Sequence, residues 1–162
     1  MNASDIRKVF RKSLESWFRI DAWSIGLPDE IKDFDNPPSI AREKPISEVI
    51  AIERPLNGCR NSAYVIRQKL SYQVLYRLPS TLNYEEILRD YRGSFEDQTI
   101  NFCAWVKHNP ECLGLNTAEP NAKISCPELR SNDWLLSNTI DIIVTYEGSY
   151  GSDCKKQYGN AT

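Results

Sequence analysis

From Tyr64 to Leu78 apolar and polar side chains alternate for longer than in any other stretch of the chain. Tyr64, Ile66, Leu70, Tyr72, Val74, Tyr76 and Leu78 take turns with Arg67, Lys69, Ser71, Gln73 and Arg77. A helix would scatter these residues around its circumference. A strand places one set on each face, so the run predicts a half-buried strand of an antiparallel sheet. At about 3.3 Å per residue such a strand reaches roughly 50 Å, where an ordinary strand has about 5–6 residues. The preceding β-branched segment 46–54, with Pro55, Asn57 and Gly58 as turn residues, makes it the return strand of a hairpin. Part of that long hairpin is expected to project beyond its own domain.

Two segments show the helical period instead. Ile6, Val9, Phe10, Leu14 and Trp17 form an apolar stripe that Asn2 or Ser4 can cap, with Arg7, Lys8, Arg11 and Lys12 largely on the opposite, solvated side. Asn83 and Glu86 have capping-box spacing ahead of a second stripe: Tyr84, Ile87, Leu88, Tyr91, Phe95, Phe102 and Val106. Gly93-Ser94 is expected to kink or divide this helix, and Pro110 and Pro120 to mark the loop after it. The last third reads as a second hairpin, 123–129 returning through 131–133 into 134–147. In its second strand Ile140, Ile142, Val144 and Tyr146 alternate with Thr139, Asp141, Ile143 and Thr145. The order helix, hairpin, helix, hairpin predicts an α/β fold of the α+β kind. It is a mainly antiparallel sheet with two flanking amphipathic helices, in one domain over 1–147. Ile66, Leu70, Tyr72, Val74, Ile140, Ile142 and Val144 are its expected core. Residues 19–45, broken by Gly26, Pro28, Pro37, Pro38 and Pro45, read as a long irregular loop, and 148–162 as a flexible tail.

The chemistry available is narrow. The 162 residues include one histidine, His108, so a multi-histidine metal site is impossible and a catalytic triad would depend on that residue. Seven glycines form no phosphate-cradling loop, and the five cysteines form no CxxC pair. A net charge of −2 argues against a dedicated nucleic-acid binder. No apolar run approaches the roughly 20 residues of a membrane span, and the charged opening segment is expected to be neither a signal peptide nor an anchor. Reduced thiols and a cytoplasmic site of folding follow as expectations. The acid pairs Glu85-Glu86, Glu96-Asp97 and Asp33-Asp35 read as solvated surface. Cys103 and His108, five apart, carry the alternative of a small thiol-dependent enzyme, but a lone Cys and His at that spacing are weak grounds for one. The expectation is therefore a protein without catalytic residues, cofactor or metal.

Arg67, Lys69 and Arg77 share the polar face of the long strand. Basic side chains there could guard an exposed sheet against aggregation, or could meet acidic groups of a neighbouring subunit. An unusually long strand beside a long loop favours the second. Arg67, Lys69 and Arg77, together with Asp33, Phe34 and Ile40 of the loop, are the expected interface residues. As solvated cations, the three basic residues should tolerate reversal to Glu with little change in melting temperature.

The chain resembles the bacteriophage tail terminator proteins, the lambda-type family above all. The likeness lies in the short opening helix, the central segment AYVIRQKLSYQVLYRLPS followed by a helix, and the closing DWLLSNTIDIIVTYEGSY, with Trp134, Ser137-Asn138 and Ile140–Glu147 in the matching places. The loop at 19–45 and the tail after Glu147 depart from that pattern. The resemblance implies a virion protein assembled in the host cytoplasm. It would form a homohexameric ring that caps the head-proximal end of the tail tube and offers a docking surface to the head connector. Its implied partners are other copies of itself, the tube protein, the connector and, in a contractile tail, the sheath. DNA would pass through the lumen without specific binding. Another ring protein of the neck, a head-completion connector, is the alternative within the same class.

Overall fold

The computed structural model describes residues 2–20, 22–23, 39–43, 50–55, 64–130 and 133–148. Its first element is α1 (Ala3–Phe18), which begins at a reciprocal capping box. Asp5 N–H donates to Asn2 Oδ1 at 2.9 Å, and Asn2 N–H donates to Asp5 Oδ2 at 3.1 Å. Ile6, Phe10, Leu14 and Phe18, spaced by four, are all buried, so the apolar stripe faces the core as its period requires. Its far end is closed by side chains from elsewhere. Tyr76 Oη donates to Phe18 O at 2.7 Å and Gln98 Nε2 to Trp17 O at 3.2 Å, while Arg19 turns the chain away in the left-handed conformation at φ 48°.

The sheet follows the long alternating run. β4 (Tyr64–Pro79) and β7 (Asp133–Gly148), each 16 residues, pair antiparallel from Tyr64↔Gly148 to Pro79↔Asp133. β4 is therefore accompanied along its whole length, and the length read as an overhang is taken up by an equally long partner. Each long strand carries two shorter ones on its other edge. β3 (Ile50–Pro55) and β2 (Ser39–Glu43) pair with successive parts of β4, and β5 (Thr117–Ile124) and β6 (Glu128–Arg130) with successive parts of β7. β1 (Ala22–Trp23) adds to β2 in parallel, the one parallel pairing among the described residues. The fold is thus α+β with a mainly antiparallel sheet.

Four local expectations change. The strand read at 123–129 is instead the end of β5 and the start of β6, with residues 125–127 between them outside any strand. Residues 22–23 and 39–43, inside the segment read as irregular, are strands: 39–43 pairs with β4 and 22–23 with 39–43, which holds them where the local pattern is weak. Pro120 stands inside β5 rather than in a loop. Ser125 N–H donates to Ser137 O at 2.9 Å, and this parity turns the backbone N position of Pro120 away from β7. β5 pairs with β7 alone among the described strands, so the missing N–H falls on its outer edge, where proline costs no ladder bond. The second helix, capped as expected by Asn83 (Glu86 N–H to Oδ1, 2.8 Å), opens with α2 (Tyr84–Glu86). It widens into a π-type turn over Ile87–Arg92 and continues as α3 (Gly93–His108). The irregularity sits just before Gly93, which itself has ordinary helical angles.

Helices and sheet meet on one face. Phe10 packs on Tyr72, Phe18 on Phe95 and Phe102, and Tyr76 edge-on against Phe95 at 4.8 Å. All seven residues expected in the core are buried. Two polar residues share the core face of the long strands. Buried Gln68 accepts from Tyr146 Oη at 2.9 Å, and Asn138 Nδ2 donates to Thr99 Oγ1 at 2.6 Å, which in turn donates to Phe95 O.

Candidate assembly surface

The second face of the sheet carries the cations singled out by their alternation. Arg67, Lys69 and Arg77 do share it, with Ser71, Gln73 and, on β7, Ser137, Thr139, Asp141, Ile143 and Thr145. The face is polar chiefly in its middle, since Val65 and Leu75 on the same side are buried. Cross-strand polar pairs tie β4 to β7 there. Gln73 Nε2 donates to Ser137 Oγ at 2.8 Å, and Ser71 Oγ donates to Asp141 Oδ1.

Two of the three cations have acids within the chain. Lys69 Nζ lies 3.9 Å from Asp141 Oδ2, with both side chains more than a third exposed. Arg77 Nη2 lies 3.4 Å from Asp133 Oδ2, and the Arg77 side chain is only 13% exposed. The acidic groups expected on a neighbouring subunit are, for these two, on the next strand. Only at a diagonal offset in the β4–β7 register do the two come within reach, so the pairing was not visible from spacing along the sequence. Arg67 is exposed, opposite Thr145 and Ala51, and makes no ion pair among the described residues. Ile40 does not stand in a free loop: its backbone lies inside the sheet, between Ala22 and Leu75. Asp33 and Phe34 lie outside the described residues, as does the segment after Gly148.

Cys103 and His108 both line a groove of about 660 Å³ between α3 and β5, together with Thr99, Lys107, Pro120 and Ala122. No hydrogen bond joins the two. Five residues at 3.6 per turn stand about 140° apart on a helix. Burial also pushes the Cys103 thiol above its ordinary pKa, which favours the unreactive protonated form. Within the groove Arg92 pairs with Glu96 at 3.0 Å, and Lys107 pairs with Glu119 of β5 outside its lining at 3.3 Å. Among the described residues no group of three or more His, Cys, Asp or Glu side chains is placed to share a metal ion, and no helix is long and apolar enough to cross a membrane.

The surface that sequence reasoning treated as plain solvated helix is the better charged one. Lys8, Arg11 and Lys12 on α1 are exposed, as is Arg19 at its end. Lys8, Lys12 and Arg19 make no ion pair among the described residues, and Arg11 lies over the Trp23 ring, 4.4 Å from its centroid. The signal was present as a charge pattern, but nothing in the sequence said that Lys69 and Arg77 would be neutralised and these would not.

Comparison with protein-family models and with curated proteins finds no match for this chain.

Proposed function

We propose that this chain is a structural subunit of the bacteriophage virion. In this reading it assembles as a ring at the head-proximal end of the tail tube, stops tube growth and offers the surface on which the head connector docks. One observation carries the reading. The two segments that resemble lambda-type tail terminators, 63–80 and 133–150, contain the two strands that pair residue for residue through the middle of the sheet. The likeness therefore falls on the structural centre of the chain rather than on a peripheral loop. A sheet with helices on one face also suits a ring subunit, which must present two different surfaces to its two neighbours and needs no reacting group. The function is mechanical: the subunit matches the last ring of the tube without repeating the surface that recruits another.

Electron microscopy of tails tests it. In an assembly system that depends on this chain, withholding it should give overlong tails without heads, and adding it back should restore a fixed length. Fixed-length tails with unattached heads in its absence would instead assign it to a neck ring that joins after the tube is capped.

A further inference from the structure

Within residues 2–19 five cations (Arg7, Lys8, Arg11, Lys12, Arg19) stand against two acids (Asp5, Glu15), in a chain whose net charge is −2. At 100° per residue Lys8, Arg11, Lys12 and Glu15 fall within an arc of about 100°, with Arg19 following at the helix end. Glu15, the acid in that ridge, accepts a hydrogen bond from Trp23 Nε1 at 2.7 Å, and the face of the same indole holds Arg11. Trp23 thus keeps apart an Arg and a Glu that would otherwise pair four residues apart on the helix. Two further spacings are unfavourable. Arg7 with Arg11 and Lys8 with Lys12 are like charges at i, i+4, and mid-helix positions gain little from the helix dipole. The helix tolerates this because its opposite face is wholly buried and both ends are capped. Since that apolar face is occupied by the core, the ridge has only charge to offer a partner.

The opposite charge stands on the second helix. Glu85 and Asp97 are exposed and make no ion pair among the described residues. At 1.5 Å per residue they are separated by about 18 Å along the helix, close to the roughly 16 Å from Lys8 to Arg19. α1 lies towards the β1 edge of the sheet, where Trp23 meets it, and α3 towards the β5 edge, where the two share a groove. The cationic residues and Glu85 and Asp97 therefore stand on different helices and form two distinct charged surfaces of one subunit. We propose that the α1 ridge (Lys8, Arg11, Lys12, Arg19) docks on the Glu85–Asp97 side of a second copy of this chain, head to tail. Such a contact uses two different surfaces of each subunit and closes on itself only as a ring. It rests on the ring reading and supplies its subunit contact, in place of the cations of β4.

A charge-swap experiment on the purified full-length chain tests it, with association followed by sedimentation at low ionic strength and fold by circular dichroism. The wild type should associate in a concentration-dependent way that added salt weakens. Lys8→Glu/Lys12→Glu and, separately, Glu85→Lys/Asp97→Lys should each weaken association at least tenfold, and the chain carrying all four should recover it. If a reversed variant unfolds, Lys8→Gln/Lys12→Gln and Glu85→Gln/Asp97→Gln replace it, with the same sign expected. A wild type that stays monomeric at every concentration overturns the proposal, as does a ridge reversal without effect. Loss on ridge reversal that the four-fold swap does not repair overturns the assignment of Glu85 and Asp97. Ridge-dependent binding of a 20-base-pair DNA duplex, without self-association, would replace the second copy by a nucleic acid. A chain that passes the swap but leaves tail length unchanged keeps this contact and loses the tail reading.

Discussion

β4 and α1 carry cations of the same kind in similar number, and the fold treats them oppositely. On β4, Lys69 and Arg77 meet Asp141 and Asp133 across the strand boundary, and Arg77 is largely withdrawn from solvent. On α1, Lys8, Lys12 and Arg19 meet no acid among the described residues. Strands bring distant side chains into cross-strand register, so a charge on a sheet is answered by whatever the neighbouring strand presents. The outer side of a surface helix has no such neighbour, and its charges remain for a partner. Availability of charge is thus a property of topology: on β4 only Arg67 remains without an ion pair among the described residues, whereas α1 keeps Lys8, Lys12 and Arg19.

The comparison holds only while both elements rest on a common core, and Phe102 is where that core is most shared. It is fully buried and meets Phe18 edge-on at 5.6 Å and Trp17 at 6.2 Å. Phe102→Ala should cost about 3–5 kcal/mol, read from the urea midpoint. A loss below about 1 kcal/mol would show that α3 is not wedged against α1 as described.

The β4 side of the contrast is sharpened by its own two pairs. Asp133→Ala takes the acid from a largely buried guanidinium and should cost about 1–3 kcal/mol. Lys69→Ala breaks a half-exposed pair and should cost less than about 1 kcal/mol. Equal losses would mean that burial does not separate them. The same pairs correct an expectation. Reversing Arg67, Lys69 and Arg77 together to Glu would replace the cations facing Asp141 and Asp133 with carboxylates, so the melting temperature should fall rather than stay unaltered.

Two smaller effects probe the second helix. Gly93 has helical angles and open space where a Cβ would go, so Gly93→Ala should raise stability by about 0.4–1 kcal/mol, visible as a shift in melting temperature. A decrease would mean that the π-type turn before it needs the glycine. Cys103 should be alkylated more slowly than exposed Cys112 at neutral pH, and the difference should narrow as the pH rises, because its raised pKa withholds the thiolate. Site-resolved mass spectrometry reads this directly, and faster labelling of Cys103 would reopen the thiol chemistry.

Much of the fold was legible because it rests on period. The seven core positions on β4 and β7 follow from alternation, and Asn2 and Asn83 from capping spacing. What was not legible depended on partners far away in sequence. Residues 39–43 are a strand because β4 offers an edge, and Pro120 sits in β5 because that edge faces away from β7. Gln68 and Asn138 interrupt otherwise apolar series. Only the structure shows that they remain on the core face, Gln68 bonded to Tyr146 and the Asn138 Nδ2 to Thr99. The candidate surface was the least legible part, since Lys69 and Arg77 look as free in sequence as Lys8 and Lys12.

The most direct test is tail length under the two charge changes, compared by electron microscopy in one assembly system. Lys8→Glu/Lys12→Glu should leave the monomer folded yet produce overlong, headless tails, whereas Lys69→Gln should leave tails of normal length. Normal tails that incorporate the α1-reversed chain would contradict the account, and so would overlong tails from Lys69→Gln alone.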